Sequence, residues 1–477
     1  MKNAFIKRLS LLTSLSLVSL VALPVANKTI TVNAAGGLPT TIYLNDNTES
    51  EVRGYYSSLD SLDPSELRGA NLLKNLKTVL AKDNTFYDYG TGSTGIGAIY
   101  LISDRNWEAS PASTISSTYG TYNASNNTIT NYKFDTKENP YIFHYYVDRD
   151  YQKEHPIKHK EDGASRVSFD KEHIWAKSHG FGLEGDDVVT GAGTDLHHLV
   201  AANPSVNSAA HNAYSYGNVA TNKYSAPQDY LKGNKRGPQK VTHAGDEVDM
   251  VFEPQDADKG DIARALFYMV ARYNYIGSDA QPTKAEPNLE LVNHVIDSSS
   301  GFDCSTSKNA APYGVISDII QWNRLDNVDA YETHRNNLVY NNFQHNRNPF
   351  IDFPTWVDLI WNEDGTYYSG ENYAKPASDA MNVGNEYVEP TGNNGDFLES
   401  VLGFIEDPTV RIIVAVAIVI IAIIFVIVLI VAISKGKAKV KVTKKGKVKI
   451  TTVSSNKKSS SSKSSSSKKS SSSKKKK

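Results

Sequence analysis

Phe169-Asp170-Lys171-Glu172-His173-Ile174-Trp175-Ala176-Lys177-Ser178, followed by Thr194-Asp195-Leu196-His197-His198-Leu199 and by Asn203-Pro204-Ser205-Val206-Asn207-Ser208, is the densest run of reactive side chains in the chain. Three of its twelve histidines fall within these stretches. Residues 167–175 and 195–200 each read as a short strand, with the glycine-rich stretch 180–193 joining them. Asn203 is set to cap, and Pro204 to begin, a helix that carries Asn207. The unit is therefore strand, loop, strand, helix.

These residue types suit hydrolysis of a phosphodiester, which needs a base for the attacking water and a cation for the charge that builds on the phosphorus oxygens. An imidazole, with an unperturbed pKa of about 6.5, serves as that base near neutrality. The carboxylate of Glu172 and the amide oxygen of Asn207 make a hard site of the kind magnesium accepts, completed by water and phosphate. Adjacent residues on a regular strand point to opposite faces, so Glu172 and His173 meet one phosphate only if the strand ends or bulges there. We expect that it does. Taken singly, a Glu-His or His-His pair is common and an early helical asparagine is usually a surface or capping residue; the ordered set carries the signal.

Outward from this unit, Leu67, Leu72, Leu73, Leu76, Val79 and Leu80 recur at helical spacing. Glycine-rich 92–97 lacks the Lys-Ser/Thr ending of a phosphate loop and reads as a turn, and Ile99, Leu101 and Ile102 read as the start of a strand. Asp261 is expected to cap a core helix through Ile262, Leu266, Phe267, Val270 and Tyr273. Residues 315–322 and 330–342 follow as amphipathic helices, and Pro354 opens a last one ending near Trp361. The fold class is α+β, mostly helical with a small antiparallel sheet.

The two ends have another character. Lys2, Lys7 and Arg8 precede an apolar stretch and a small-x-small site at residues 32–34, the parts of a signal peptide over 1–34. Residues 412–433 lack any charge or helix breaker and, at about 1.5 Å per residue, reach roughly 33 Å, enough for one transmembrane helix over 411–433. Beyond lie seventeen lysines, no acidic residue and blocks of serine, so 434–477 is expected to be a disordered tail on the cytoplasmic side. Residues 35–53 read as a polar leader, 54–365 as the catalytic domain and 366–410 as a stalk. The leader peptide contributes four positive charges and the tail seventeen, so a net charge of −1 leaves −22 on residues 35–433. A polyanion would find such a body repulsive except at a local basic patch or a bound cation. Cys304 is the sole cysteine, so no internal disulfide forms, and no histidine lies near it in sequence; it reads as a bystander.

Over 54–365 the sequence resembles the bacterial endonuclease I family of secreted and periplasmic nucleases, within the ββα-metal or His-Me finger group. The resemblance runs from Tyr55-Tyr56-Ser57-Ser58-Leu59 through Glu172-His173-Ile174-Trp175, Asp195-Leu196-His197-His198-Leu199, Val206-Asn207 and Gly260-Asp261-Ile262-Ala263-Arg264-Ala265 to Asn346-Arg347-Asn348-Pro349-Phe350-Ile351-Asp352. It implies that His173 activates water and that Glu172 and Asn207 bind one divalent ion, Mg2+ first, with Mn2+ or Ca2+ as alternatives. It also implies DNA or RNA as substrate with little sequence preference, and 5′-phosphate and 3′-hydroxyl ends. Members often carry an arginine three residues after the asparagine, where this chain has Ala210. His211, Arg166 or Arg347 must then substitute, although an ion pair bracing the C-terminal helices is the competing role for Arg347. Asp195, His197 and His198 read as supporting residues, with Asp195 orienting one imidazole.

Nucleic acid and the membrane are the expected partners, with no protein partner, and the catalytic domain is expected outside the cell. Two rival readings are a zinc hydrolase with His173, His197 or His198, and His211 as ligands, and a surface adhesin or nucleic-acid-capture protein with a degenerate site. Reactivation by magnesium after chelation separates the first rival, and nicking of a plasmid the second.

Overall fold

The computed structural model describes residues 33–34, 37–90, 94–160, 168–181, 188–240, 250–293, 302–303, 310–382, 438–442 and 448–452. Residues 1–32 of the expected signal peptide, the 411–433 span, Arg166 and Cys304 lie outside the described residues, whereas Asn33–Ala34 pairs in parallel with Thr85–Phe86. Among the described residues no helix is long and apolar enough to cross a membrane.

The core is organised around the helix Lys259–Tyr273, buried at every residue from Gly260 to Tyr273. A helix enclosed on all sides has to meet its buried charges with partners. Its two arginines are buried with it, Arg264 against Glu332 and Arg272 against Glu286, both pairs within 2.7 Å. The helix begins three residues earlier than expected, and Asp261 is not its cap: it lies in the first turn, 2.9 Å from Arg149. The helices Gly69–Leu80, Ile316–Leu325 and Pro349–Asp352 pack against it. Leu72, Leu73, Leu76, Val79 and Leu80 form the buried face of the first, as their spacing predicts.

Residues 96–103 correct another expectation. They form the helix Ile96–Ser103, buried throughout and packed on the helix Ala330–Asn342. A short unbroken apolar run has no polar face to reveal its period, so strand and helix look alike in sequence.

Strands are short and paired in small groups. Asp170–His173 runs antiparallel to Leu199–Ala202, with His173 opposite Leu199 and Glu172 opposite Val200. Lys235–Pro238 pairs antiparallel with Met250–Glu253, whereas Leu289–Leu291 pairs in parallel with Ala311–Tyr313.

The domain is larger than its composition suggests. Ile42, in the expected leader, is buried and pairs with Ile129, and Thr48 caps a helix at Glu49–Tyr56. Residues 366–382, expected to belong to a stalk, return to the core: Ala374 is buried and donates its N–H to Leu67, and Trp356 donates to Asp379 at 2.8 Å. Gly, Asn and Pro mark turns as readily as linkers, and here the turns are pinned by the domain's own backbone groups. In a second unit starting at Val388, Ala438–Val442 pairs antiparallel with Val448–Thr452. Alternation of lysine with valine gives that part of the tail a strand period which its overall composition conceals.

Candidate functional site

The Asp170–His173 strand ends at its histidine, and the next residue, Ile174, donates its N–H to the His198 carbonyl at 3.0 Å. That ending resolves the alternation problem. Glu172 and His173 both line one cavity of about 840 Å³, with Lys171, Lys177, Asn207 and His211 also on its wall.

His173 has its tautomer set by the backbone. Its Nε2 lies 2.8 Å from the Gly193 carbonyl, which only accepts, so the neutral ring carries its proton there and leaves Nδ1 as the lone pair. Gly193 sits in the turn Ala192–Thr194, entered through Gly191 at φ +131°. A Cβ at 191 would lie 2.5 Å from the Ala285 carbonyl, so glycine lets that loop lie against its neighbour. The His173 ring stacks on Tyr89 with centroids 5.4 Å apart, and Lys171 covers Tyr89 with its ammonium 3.5 Å from the ring centroid. Burial, helped by His198 nearby, pushes the His173 imidazole well below its ordinary range, so it stays neutral.

Glu172 is held by donors. Oε1 accepts from the Tyr146 hydroxyl at 2.7 Å and lies 2.6 Å from His211 Nδ1. His211 Nε2 in turn lies 2.9 Å from the Tyr313 hydroxyl, and its ring stacks on Tyr216 at 4.7 Å. The Asn203 side chain accepts from the N–H groups of Ser205 and Val206, the expected cap. The α-helix lasts only from Pro204 to Val206, and a π-helical turn, Asn207–His211, follows it. The wider turn leaves Ala210 fully buried and brings His211 to the cavity wall. Asn207 donates its Nδ2 to Asp170 at 3.2 Å, so its carbonyl end is the one left for a cation.

The remaining sequence-named residues stand behind this wall and do not line the cavity. Asp195 is a buried hub: the hydroxyls of Tyr268 and Tyr273 and the amide of Gln344 all donate to it within 2.8 Å. It bonds the backbone N–H of His197, not an imidazole ring. His197 is tied to Asn346 at 3.1 Å and His198 to the Ala192 carbonyl at 2.7 Å; burial brings both imidazoles down to about 4. Arg347 is 1% exposed and grips Asp352 with two nitrogens, at 2.8 and 2.7 Å, the bracing ion pair named above as its competing role. Among the described residues no group of three or more His, Cys, Asp or Glu is arranged to hold a metal, so the imidazoles of the zinc reading are not assembled. Sequence reasoning passed over Tyr146, which lies 26 residues before the glutamate it holds, and Tyr89. Neither has a local signal.

The sequence profile of the endonuclease I family matches residues 71–355, enclosing the whole cavity wall. The chain belongs to the endonuclease I family. The endonuclease I domain is similar to two relatives named extracellular ribonuclease, from Bacillus amyloliquefaciens and Bacillus subtilis (strain 168). The chain is 39% identical to the first over 213 residues and to the second over 202. Those alignments cover 44% and 42% of this chain, and only 60% and 56% of the two relatives. No solved structure matches the chain significantly.

Proposed function

We propose that the endonuclease I domain is a metal-dependent endonuclease that hydrolyses DNA, RNA or both with little sequence preference, leaving 5′-phosphate and 3′-hydroxyl ends. In this reading the two antiparallel strands at 170–173 and 199–202, with the turn at 204–211, are the ββα-metal finger. The observation that carries it is a neutral His173, its proton held on Nε2 by Gly193, sharing one cavity with Glu172 and Asn207.

Glu172 and Asn207 fit a hard divalent ion such as Mg2+, offering one carboxylate and one amide oxygen on the same cavity wall. When bound, the ion supplies stabilisation of the negative charge that grows on the phosphate. His173 takes the proton of the attacking water on Nδ1, and the proton already on Nε2 stays with the Gly193 carbonyl, which steadies the imidazolium that forms. The bond from phosphorus to the 3′-oxygen breaks, the leaving oxygen takes a proton from solvent water, and the imidazolium returns its own to solvent, so the ring ends neutral. Lys171 and Lys177 give the cavity wall a positive local potential within an acidic body.

The catalytic domain is placed outside the cell in this reading, supported by the word extracellular in both relatives' names. Its anchoring through 411–433 rests on the apolar run and lysine tail of the sequence. The test is cleavage of plasmid, single-stranded DNA and RNA by the full-length chain, with chelator and then Mg2+ added back. His173→Ala is expected to lose about a hundredfold to ten-thousandfold in rate while binding metal as before. Near-normal turnover in that variant would overturn the role of His173, and binding without nicking in the parent chain would favour the capture-protein reading.

A further inference from the structure

Ala210, on the turn beside the cavity, is buried, Arg347 is locked to Asp352 and His211 is engaged with Glu172. The turn itself has another arginine resting on it. Arg236, on the strand Lys235–Pro238, donates through Nη1 to the Ala209 carbonyl at 2.5 Å, and its guanidinium lies 5.4 Å from the ring centroid of Tyr214. Ser208, His211, Asn212 and Ala213, the residues around that carbonyl and leading to Tyr214, line the cavity. Arg236 is therefore docked beside the cavity from a separate strand.

Three observations set this side chain apart. Arg53, Arg105, Arg149, Arg264, Arg272, Arg324, Arg335 and Arg347 each pair with a carboxylate, whereas among the described arginines only Arg68 and Arg236 do not. Its Nε is buried without any hydrogen-bond partner, and so is the hydroxyl of Tyr224, which is near enough to feel the charge of Arg236. Finally, residues 203–240 hold Lys223, Lys232, Lys235, Arg236 and Lys240 against one carboxylate, Asp229, in a body carrying −22; Lys232 pairs with Asp229 and Lys235 with Glu253 of the neighbouring strand, which leaves Arg236 among the cations without a carboxylate. A guanidinium without a carboxylate partner calls for an oxyanion, and a half-buried tyrosine ring beside it offers a face to a base.

We propose that Arg236, with Tyr214 and Tyr224, binds the phosphate and base flanking the scissile bond of a single-stranded nucleic acid. Charge-assisted bonds from a guanidinium to phosphate are planar and specific, so lysine replaces it only in part. The inference rests on the nuclease reading, yet it is testable without turnover.

The experiment measures fluorescence anisotropy of a fluorescein-labelled single-stranded DNA oligonucleotide with the full-length chain in mild detergent and chelator, over a range of salt. Arg236→Ala is expected to weaken binding about tenfold or more. The slope of log affinity against log salt should fall by about 0.7, the counterion share of one phosphate on a single strand. Arg236→Lys should restore the slope but not the full affinity, which separates a phosphate contact from a brace on the Ala209 turn. Arg324→Ala, whose guanidinium is paired with Asp358 and Glu363, is the control and should bind as the parent does. Unchanged affinity and salt slope in Arg236→Ala would sink the inference and leave the nuclease reading intact. A parent chain that binds the oligonucleotide in this Arg236-dependent way but cleaves nothing would sink the nuclease reading and leave the binding site standing.

Discussion

Replacing His211 by alanine separates metal positioning from catalysis. The ring holds Glu172 Oε1 at 2.6 Å on one side and meets the Tyr313 hydroxyl at 2.9 Å on the other, while among the described residues Tyr146 is the other donor to that carboxylate oxygen. A hydrogen bond to a charged group contributes about 1.5–3 kcal/mol. Groups that orient a metal ligand from behind typically govern metal affinity by about 10- to 100-fold, which converts to about 1.4–2.8 kcal/mol and agrees with the bond's own worth. His211→Ala should accordingly raise the half-saturating Mg2+ concentration by about 10- to 100-fold, with turnover at saturating metal much less affected. It also removes the ring stacked on Tyr216 and 5.2 Å from Phe252, so the variant should melt earlier. His211→Gln keeps a donor near Glu172 and should recover most of the metal affinity without recovering the stacking. The assay is rate against Mg2+ concentration, with a thermal melt beside it. A half-saturation point within twofold of the parent in His211→Ala would refute the positioning argument, whatever happens to the melting temperature.

Two further outcomes follow from buried charge. His144 is enclosed with neither ring nitrogen bonded, and burial brings its imidazole down to about 3. Its folded value thus lies below the unfolded one, so the unfolded chain takes up the proton first, and stability is lost as pH falls below the unfolded value of about 6.5. His144→Phe should remove that loss, gaining about 2 kcal/mol on the parent between pH 7 and pH 5 in urea unfolding; a pH-independent difference would contradict it. Arg347→Ala leaves the buried Asp352 without its partner and should cost about 3–5 kcal/mol of stability, while oligonucleotide affinity measured on folded protein stays as in the parent. Selective loss of affinity at full stability would restore Arg347 as a substrate contact.

Local features of the sequence were legible where a local pattern carried them. The leucines of 72–80 declared a helix by their period, Asn203 and Pro204 declared a helix start, and the need for a strand end at His173 followed from alternation alone. What escaped was set by distant partners. The enclosure of Ile96–Ser103 on every side erased its periodicity, and Asp261 was drawn from a capping role by Arg149, 112 residues away. The return of 366–382 to the core depends on contacts such as that between Ala374 and Leu67, which no composition reveals. The π-helical turn is likewise invisible in Asn207-Ser208-Ala209-Ala210-His211, yet it decides that residue 211, and not 210, faces Glu172.

In the proposed mechanism the adjacency of Glu172 and His173 is the central device. A general base must be neutral to accept a proton, and a metal ligand must present negative oxygen, so the two need unlike surroundings within a few ångströms. Strand alternation supplies that difference: Glu172 stands opposite Val200 and receives the hydroxyl of Tyr146 and the ring of His211, whereas His173 stands opposite Leu199, against Tyr89 and a carbonyl. The strand's termination then lets both side chains reach the same cavity. Extending the strand by one regular residue beyond His173 would keep the separation but lose the convergence, and a looser turn at 192–194 would keep the convergence but free the Nε2 proton to move. The chemistry proposed for this cavity depends on the strand stopping there and on Gly193 meeting the ring where it stops.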